Sequence, residues 1–362
     1  MIDNSKAIEK DIPLAPRSSI GLGGLARYFL TARSMDAVRA GLVWARQHRL
    51  PVQVLGGGSN TLFPDAGFDG LVLDIALCGR HFTPKDGWTL LTAGAGEDWD
   101  SLVQGCIERG LSGIECLSGI PGRVGATPIQ NVGAYGQEVM DTIVGVQALH
   151  RESLEQVEFT NAECAFAYRQ SRFKKADRDR FIITQVQYRL ANQGQPYLGY
   201  AELQRYLESL PDWDGSAVGR PALRPVRQAV LTLRRKKSMV LDPADPHARS
   251  LGSFFLNPVL STANFKQLEG RWRQAGGQGK VPVFAAEDGV KVPAAWLVEQ
   301  AGFSKGQRHG GVGISGKHAL ALVNYGGTAC QLLALAGQIQ QAVEARFGVR
   351  LECEPVVVGA AE

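Results

Sequence analysis

Residues 120–136 read Ile-Pro-Gly-Arg-Val-Gly-Ala-Thr-Pro-Ile-Gln-Asn-Val-Gly-Ala-Tyr-Gly, and we call this stretch the central loop. Its four glycines and two prolines exclude a regular helix or a central strand, because glycine costs backbone entropy and proline lacks the amide donor. Apart from Arg123 it carries no charge, so it offers a ligand mainly backbone N–H groups. The pattern favours a shaped loop that binds an anion such as a pyrophosphate. The alternative is a tight turn in a glycine-rich connection.

Two further glycine-rich segments follow predicted strands. Residues 52–55 form a short apolar strand that runs into Gly56-Gly57-Gly58-Ser59-Asn60, the first glycine loop. A strand over residues 89–93 ends in Gly94-Ala95-Gly96, the second glycine loop. Neither has the Gly-Lys-Ser/Thr of a Walker loop or the Gly-x-Gly-x-x-Gly of a Rossmann helix. A single nucleotide with a long pyrophosphate arm would use all three loops.

Length and composition limit the classes of protein that remain. A chain of 362 residues should divide into two or three domains. A hydrophobic fraction of 44% and a charged fraction of 20% are typical of a globular enzyme. A net charge of +4 argues against bulk nucleic-acid binding but leaves room for a local cationic pocket. The six scattered cysteines show no zinc spacing, so we expect reduced thiols and no metal.

The chain also lacks membrane and export signals. No apolar run approaches the roughly 20 residues that span a bilayer. Charges are spread over residues 3–11, where a signal peptide would need its apolar segment. We therefore expect a cytoplasmic protein that neither spans nor binds a membrane.

Periodicity and end signals predict the helices and strands. Ser34 suits the N-cap of a first helix, and a second begins near Asp98 and ends at Gly110. Residues 71–75 look like a strand, and residues 142–149, 154–159 and 181–190 alternate as half-buried antiparallel strands do. Further helices are predicted near residues 200–210, 226–237, 262–274, 294–300 and 328–347. The chain closes in a β-α-β pattern whose strands are residues 319–323 and 350–358, with Glu352 and Glu354 on one strand face.

Three polar stretches admit two interpretations each. Residues 166–174 mix cations and aromatics, as a solvated turn does, or as Arg169 would need to bind a carboxylate through both guanidinium nitrogens. The four cations at 234–237 could cap a helix or clamp a diphosphate. Residues 252–258 could be an active-site wall or a buried strand end.

These motifs together resemble a known family. The two glycine loops and the central loop are similar to the FAD-binding domain of the vanillyl-alcohol-oxidase (PCMH) type. Four further motifs resemble the UDP-N-acetylenolpyruvoylglucosamine reductases of peptidoglycan synthesis, in the subgroup with a tyrosine loop. They are Tyr168-Arg169-x-Ser171-x-Phe173-Lys174, Gly252-Ser253-Phe254-Phe255-x-Asn257-Pro258, Ala294-Ala295-Trp296-Leu297 and Leu351-Glu352-x-Glu354. The resemblance runs from about residue 16 to residue 359.

The resemblance implies a reaction. The family uses FAD to pass a hydride from NADPH to UDP-N-acetylglucosamine enolpyruvate, giving UDP-N-acetylmuramate. This implies a role in cell-wall biogenesis, cell shape and cell division. Arg169 and Glu354 match the groups that polarise the substrate carboxylate towards an enediolate, and Ser253 matches the proton donor.

The resemblance also implies binding residues. Tyr168, Lys237, Asn257 and Lys291 match substrate contacts, and Tyr200 matches the tyrosine of a mobile loop that closes over the nucleotide. The implied flavin contacts are Gly56, Gly57, Gly58, Ser59, Asn60, Gly94, Gly96, Pro121, Gly122, Val124, Gly125, Ala126, Gln130, Asn131, Gly133, Ala134, Tyr135 and Gly136. Two departures stand out: Ser18-Ser19 replaces an Asn-Thr pair of the family, and Pro355 follows Glu354 where a β-branched residue is common.

The implied fold is α+β, with a two-part FAD domain and a smaller α/β substrate-binding domain. The predicted division is residues 1–75 and 76–195 for the two FAD subdomains and 196–362 for the substrate domain. We expect a monomer that binds a nucleotide sugar and no nucleic acid. Two alternatives stay open: an oxidase on the same flavin scaffold, and a non-catalytic protein that binds flavin or a nucleotide sugar. An oxidase would not require Arg169, Ser253 and Glu354 together.

Overall fold

The structure is a computed structural model that describes residues 7–286 and 289–359. The α-helices are α1 (Met35–Gln47), α2 (Trp99–Glu108), α3 (Ala201–Glu208), α4 (Arg220–Lys236), α5 (Thr262–Gln274), α6 (Ala294–Gln300) and α7 (Ala329–Phe347). The strands are β1 (Glu9–Pro13), β2 (Leu25–Ala32), β3 (Val52–Leu55), β4 (Thr61–Leu62), β5 (Phe68–Ile75), β6 (Arg80–Pro84), β7 (Trp88–Gly94), β8 (Leu111–Ser112), β9 (Gly133–Ala134), β10 (Gln137–Glu138), β11 (Ile143–His150), β12 (Gln156–Thr160), β13 (Phe181–Asn192), β14 (Val259–Leu260), β15 (Phe284–Ala286), β16 (Gly289–Lys291), β17 (Arg308–His309), β18 (Val312–Ile314), β19 (Leu322–Asn324) and β20 (Val356–Val357). Short 3₁₀ turns lie at Ala15–Arg17, Glu115–Leu117, Val124–Ala126, Val139–Asp141 and Ala162–Cys164.

The chain divides into two compact units. Unit 1 contains the residues up to Ile12, Ala26–Gly57 and Asp69–Val240. Unit 2 contains Pro13–Leu25, Gly58–Phe68 and the residues from Leu241 onward. The division into three domains made from the sequence stays a prediction. It differs from these units in that residues 196–240 group with unit 1, whereas residues 13–25 and 58–68 group with unit 2.

Within the described residues, unit 1 contains two larger sheets and the two-stranded pair β9-β10. The first sheet has the order β1-β2-β5-β3, with β3 parallel to β5. The second has the order β12-β11-β13-β7-β6, with β8 also paired to β13, and all these pairs are antiparallel. The antiparallel pairing of β11, β12 and β13 confirms the prediction from their alternating residues. Apolar residues of both sheets and of α1 and α2 form a single buried cluster. Burial of this apolar surface is what holds the sheets and helices of the unit together.

The first two helices begin where their capping residues predict. The Ser34 side chain accepts a hydrogen bond from Ala37 N, and the Asp98 side chain accepts one from Ser101 N. Such N-caps satisfy amide groups that have no partner inside the helix. Gly110, with φ +69°, follows α2 as the predicted stop.

α4 starts earlier than the sequence pattern indicates. Its predicted start near Val226 is wrong, because the helix begins at Arg220 and contains both Pro221 and Pro225. A proline in the first turn needs no amide donor, which makes Pro221 compatible with a helix start. α3 packs against α4 through a small apolar cluster that contains Leu203, Leu207 and Val230.

The described part of unit 2 contains small sheets and the helices α5, α6 and α7. The sheets are β14-β16-β15, β17-β18-β19 and the parallel pair β20-β4. α7 buries Leu332, Leu335, Ile339 and Val343, which recur at helical spacing. It ends at Gly348 with φ +69°, a left-handed C-cap that glycine adopts without strain.

The predicted end of the chain requires a correction. A strand, a helix and a strand do follow one another, but β19 pairs with β18 whereas β20 pairs with β4. The predicted strand over residues 350–358 shrinks to Val356–Val357 and an isolated bridge between Cys353 and Phe255. Glu352 is exposed and Glu354 is partly buried, and both flank that bridge, outside the short strand β20. Proline at 355 supplies no amide to a ladder, which suits the short pairing.

In the part of the chain described here, no helix combines the length and the apolar character that crossing a membrane requires. All six cysteines are unpaired thiols, as the sequence predicts.

Candidate functional site

The second glycine loop and the central loop of unit 1 are joined by their backbones. Gly125 N donates to Ala95 O at 2.9 Å, and Val124 N donates to Glu97 O at 2.9 Å. Gly57, at the end of the unit 1 part of the first glycine loop, lies against the same region. A Cβ atom on Gly57 would stand 2.6 Å from the Gly122 Cα atom. The three loops predicted to serve one nucleotide therefore meet.

Glycine occupies these loop positions for different structural reasons. A Cβ atom on Gly94 would lie 2.2 Å from Leu77 O, and one on Gly96 would lie 2.4 Å from Leu77 N. Both glycines thus make room for protein backbone. Beside Gly56 the nearest atom to a Cβ would be the Ala126 Cβ, at 3.9 Å, which leaves that side of the loop open.

The single charge of the central loop is neutralised inside the protein. Arg123 Nη1 bonds to the buried carboxylate of Asp74, and also donates to Ile75 O at 2.6 Å. The loop therefore presents backbone dipoles rather than a cation. Chain conformations that turn successive N–H groups to one side bind anions in this way.

A buried hydroxyl pair anchors the loop to the second sheet. Thr127 Oγ1 donates to Val124 O at 2.8 Å, so it accepts from the Tyr188 hydroxyl, also at 2.8 Å. Burial raises the pKa of Tyr188, which keeps its hydroxyl protonated as a donor.

The Asn131 side chain forms the hydrogen bonds that hold the second half of the central loop. It is fully buried, with φ +46°, and its Nδ2 donates to Glu138 Oε2 at 2.6 Å and to Ala167 O at 3.0 Å. Its Oδ1 accepts from Met140 N at 3.1 Å. The side chain of Asn131 is thus used to hold the loop together, whatever its backbone offers a ligand.

Arg169 is bound to the central loop rather than left in a solvated turn. Its Nη1 donates to Asn131 O at 3.3 Å and its Nη2 donates to Gly133 O at 2.5 Å. The Tyr168 ring lies 5.4 Å from the guanidinium, and Lys174 Nζ donates to Arg169 O at 3.1 Å. These contacts fix the guanidinium in one orientation.

A third set of predicted residues lies where α3 meets α4. Lys237, just after α4, forms an ion pair of 2.7 Å with Glu202 of α3. Tyr200, which precedes α3, packs edge-on against Tyr135 with ring centroids 5.3 Å apart. Burial raises the pKa of Tyr135 to about 12, while nearby Arg234 opposes that shift.

Arg234 adds an unassigned cation to this set. Burial lowers its pKa, and its Nη2 donates to Met239 O at 2.7 Å. Its Nε is buried without a hydrogen-bond partner. A buried donor of this kind is costly unless a ligand satisfies it.

In unit 2, Ser253 and Glu354 lie on paired segments. Glu354 N donates to Phe254 O at 2.9 Å, and Leu256 N donates to Glu352 O at 3.0 Å. On the other side Phe254 N donates to Leu320 O at 2.8 Å. Ser253 Oγ is 3.2 Å from Nε2 of His318. Sequence reasoning missed His318, whose only signal is a histidine directly before a predicted strand.

The remaining predicted residues of unit 2 support the same segments. Asn257 Oδ1 accepts from Ala294 N at 2.8 Å and so caps α6. Lys291 lies in β16 opposite Val259, two residues after Asn257. Asn60 Nδ2 donates to Glu354 O at 3.3 Å, although 294 residues separate the two in the chain.

The residues that depart from the family pattern keep clear structural roles. Ser19 Oγ donates to Ser250 O at 2.6 Å, and Ser19 N donates to Gly58 O at 3.1 Å. Gly58 has φ +64°, and a Cβ atom there would lie 1.9 Å from Arg17 O. Ser59 follows in the same loop. The other predicted flavin contacts lie along the central loop: Pro121, Ala126, Gln130, Ala134 and Gly136.

The first comparison defines the class of the protein. A family model described as an FAD binding domain matches residues 26–153. The chain is therefore an FAD-binding flavoprotein with an α+β fold.

Further comparisons define the family. The model for the C-terminal domain of UDP-N-acetylenolpyruvoylglucosamine reductase matches residues 243–358. A reductase of that name from Thermobifida fusca is 46% identical over 97% of this chain and 98% of its own length. One from Cupriavidus pinatubonensis is 44% identical over 96% and 98%. The chain belongs to the UDP-N-acetylenolpyruvoylglucosamine reductase family, which confirms the family predicted from the motifs.

A solved structure agrees at the level of the fold. The crystal structure of UDP-N-acetylenolpyruvylglucosamine reductase from Thermus caldophilus covers 97% of both chains with a TM-score of 0.63 and 24% identity.

Proposed function

We propose that this protein is an NADPH-dependent reductase that converts UDP-N-acetylglucosamine enolpyruvate to UDP-N-acetylmuramate, in the synthesis of peptidoglycan precursors. The observation that carries the proposal is 41–46% identity to reductases of this name over 96–97% of the chain. FAD, held by the two glycine loops and the central loop, would supply the hydride transfer from NADPH to the enolpyruvyl double bond. The residues of the chain bind FAD and the nucleotide-sugar substrate, polarise the substrate and supply a proton.

The central loop region fits FAD. Backbone approaches backbone where Gly57 meets Gly122, at a distance that no Cβ atom would permit. The open side of Gly56 and the neutralised Arg123 leave an uncharged surface of backbone groups. Such a surface suits a pyrophosphate, which backbone N–H groups can bind without a cation. We assign FAD to the two glycine loops and the central loop.

Arg169 and Glu354 are assigned to the substrate carboxylate. An enolpyruvyl double bond accepts a hydride readily only when its carboxylate is drawn towards an enediolate, which requires a cation and an acid. Support for Arg169 comes from the carbonyls of Asn131 and Gly133, which hold its guanidinium in place before a ligand binds. A preorganised charge stabilises the developing enediolate without further rearrangement.

Ser253 is assigned as the proton donor. Addition of a hydride to one carbon leaves the carbon next to the carboxylate as a strong base, which a weakly acidic hydroxyl can protonate. Ser253 lies on the segment paired with residues 352–354, so its backbone is fixed on both sides.

The nucleotide part of the substrate is assigned to the other predicted residues. Lys237, Asn257 and Lys291 offer donors to the diphosphate and sugar, and Tyr200 closes over the nucleotide. The unpaired Nε of Arg234 supports a diphosphate near the end of α4. Tyr168 borders the carboxylate site. We further propose that the enzyme acts as a monomer in the cytoplasm, where NADPH and nucleotide sugars are available, and binds no nucleic acid.

The test is anaerobic stopped-flow absorbance of the flavin. The protein is first reduced with NADPH and then mixed with UDP-N-acetylglucosamine enolpyruvate. We expect the substrate to reoxidise the flavin, and Ser253→Ala to slow that step by about 10²–10⁴-fold, the usual contribution of a positioned acid. Ser304→Ala is the matched control, because Ser304 is an exposed serine of the same unit.

Two outcomes would refute the assignment. If oxygen but not the enolpyruvyl substrate reoxidised the flavin, the protein would be an oxidase. If Ser253→Ala reoxidised at the rate of the wild type, another group would supply the proton.

A further inference from the structure

The hydroxyl of Ser253 is held against a histidine whose orientation the backbone fixes. Ser253 Oγ lies 3.2 Å from Nε2 of His318. His318 opens the turn between β18 and β19, in which Ala321 N donates to His318 O at 3.2 Å. Both side chains are partly buried.

The same turn determines which ring nitrogen carries the proton. Leu320 N lies 3.3 Å from His318 Nδ1 and donates to it. A backbone N–H can only donate, so Nδ1 must keep its lone pair. The proton of the neutral ring is therefore on Nε2.

Leu320 connects the histidine to the serine a second time. Its carbonyl accepts from Phe254 N at 2.8 Å, directly after Ser253 in the chain. One residue thus sets the tautomer of His318 and also the position of the backbone that carries Ser253. Backbone hydrogen bonds therefore fix the positions of both Ser253 and His318 in unit 2.

We infer that His318 is a positioning residue that donates its Nε2–H to Ser253 Oγ and so makes Ser253 a proton donor. With the opposite tautomer, Nε2 would accept the serine proton, and the pair would have the arrangement of an activated nucleophile. With Nε2 as the donor, the Ser253 proton must point away from His318. It is then available to a substrate carbon.

The inference rests on the proposed role of Ser253 and gives that role a complete proton balance. The Ser253 O–H bond breaks and a C–H bond forms at the carbon next to the substrate carboxylate. The serine alkoxide that remains accepts a hydrogen bond from His318 Nε2–H, and this hydrogen bond stabilises the negative charge on the alkoxide oxygen. Water then returns a proton to Ser253, and His318 keeps its own proton throughout.

Variants of His318 test this role through the two half-reactions. His318→Leu removes the donor, and we expect substrate-dependent flavin reoxidation to slow by about 10²-fold, as when one donor to an oxyanion is lost. Reduction of the flavin by NADPH should not change. His318→Gln places an amide N–H at a reach close to that of Nε2 and should restore most of the rate, whereas the shorter His318→Asn should not.

A double variant separates this role from a structural one. In Ser253→Ala there is no alkoxide to stabilise, so adding His318→Leu should cause no further loss. An additional loss of the same size as in the wild type would overturn the inference. So would a reoxidation rate in His318→Leu equal to that of the wild type.

A spectroscopic measurement tests the tautomer without turnover. Long-range ¹H–¹⁵N NMR of the folded holoprotein distinguishes a protonated Nε2 from a protonated Nδ1, and His318→Gln identifies the signal. A proton on Nδ1 would overturn the inference and leave the proposed function intact. If Ser253→Ala reoxidised at the wild-type rate while Nε2 carried the proton, the role of Ser253 would fail, and that of His318 with it.

Discussion

At the scale of single residues, the contact between Gly57 and Gly122 is the most demanding feature of the proposed flavin site. A Cβ atom on Gly57 would lie 2.6 Å from the Cα and 3.0 Å from the carbonyl carbon of Gly122. Both atoms belong to the backbone, so no side chain can move aside. We expect Gly57→Ala to separate the loops at a cost of about 1–3 kcal/mol. FAD binding should weaken by about 10-fold or more, as measured by fluorescence titration of the apoprotein.

Gly270 supplies the control for that substitution. It lies inside α5, and a Cβ atom there would meet nothing within 4 Å. Gly270→Ala should leave FAD affinity unchanged and stabilise the fold by roughly 0.4–1 kcal/mol, because alanine loses less backbone entropy. Equal FAD affinity in Gly57→Ala and the wild type would show that the loops need no close contact to bind FAD.

Buried thiols make stability fall at high pH. Burial raises the pKa of Cys106 from 9.0 to about 12. A group whose pKa is raised by folding contributes stability that is complete below its unfolded pKa and is lost as the pH rises towards its folded pKa. The free energy of unfolding should therefore fall between pH 9.0 and about 12.

Cys106→Val isolates this contribution, since valine fills a similar volume and does not titrate. Urea unfolding of both proteins at about pH 8 and about pH 10 gives the comparison. We expect the wild type to lose more stability than the variant between the two conditions. Equal losses would mean that Cys106 does not stay a neutral thiol in the folded protein.

At the scale of elements, the ion pair between Glu202 and Lys237 joins α3 to the end of α4. More than a third of each side chain is exposed, so the pair should contribute less than about 1 kcal/mol to stability. The ion pair matters for function, because Lys237 is the proposed diphosphate contact and Glu202 competes with the diphosphate for the Lys237 ammonium. Lys237→Ala should raise the KM for the enolpyruvyl substrate by about 10- to 100-fold, the loss expected for one charged hydrogen bond.

Variants of two neighbouring residues serve as controls for this prediction. Lys236→Ala removes an exposed cation beside Lys237 and should change the KM little. Glu202→Gln should not raise the KM, since it frees the Lys237 ammonium. A KM in Lys237→Ala equal to that in Lys236→Ala would remove Lys237 from the substrate site.

Elements with local signals could be predicted from the sequence, and their partners could not. α5 and the strand β3 fall on their predicted residues, because caps, periodicity and flanking prolines act within a few positions. The pairing of β20 with β4 links residues 295 positions apart, such as Val356 and Thr61, and nothing local specifies it. For the same reason the predicted strand over residues 350–358 was too long.

In the candidate site, too, local features could be predicted from the sequence and long-range contacts could not. The glycines of the three loops are visible in the sequence, but the atoms that exclude a Cβ at Gly57 or Gly94 come from distant segments. His318 was missed because its role depends on a tautomer. A backbone amide two residues later sets that tautomer only once the turn has formed.

At the scale of the whole molecule, unit 2 is assembled from three separate pieces of chain. Its core contains Ile20, Leu22 and Leu62 together with residues of α5, α6 and α7. Asn324 Nδ2 donates to Ile20 O at 3.0 Å and to Gly21 O at 3.2 Å. The C-terminal family model begins at residue 243, so it spans only the largest of these pieces.

A fragment of residues 241–362 should therefore not fold by itself. It would lack the apolar side chains of residues 13–25 and 58–68 and leave the strand β20 without its partner β4. Loss of a single large apolar side chain from a core costs about 2–5 kcal/mol, and several such losses exceed the usual stability of a domain. Thermal unfolding by circular dichroism should show no cooperative transition for the fragment. In the full chain, Leu62→Ala should lower the transition temperature and leave the transition cooperative. A sharp transition in the fragment would mean that the C-terminal piece carries a sufficient core, and that the two N-terminal pieces only cover it.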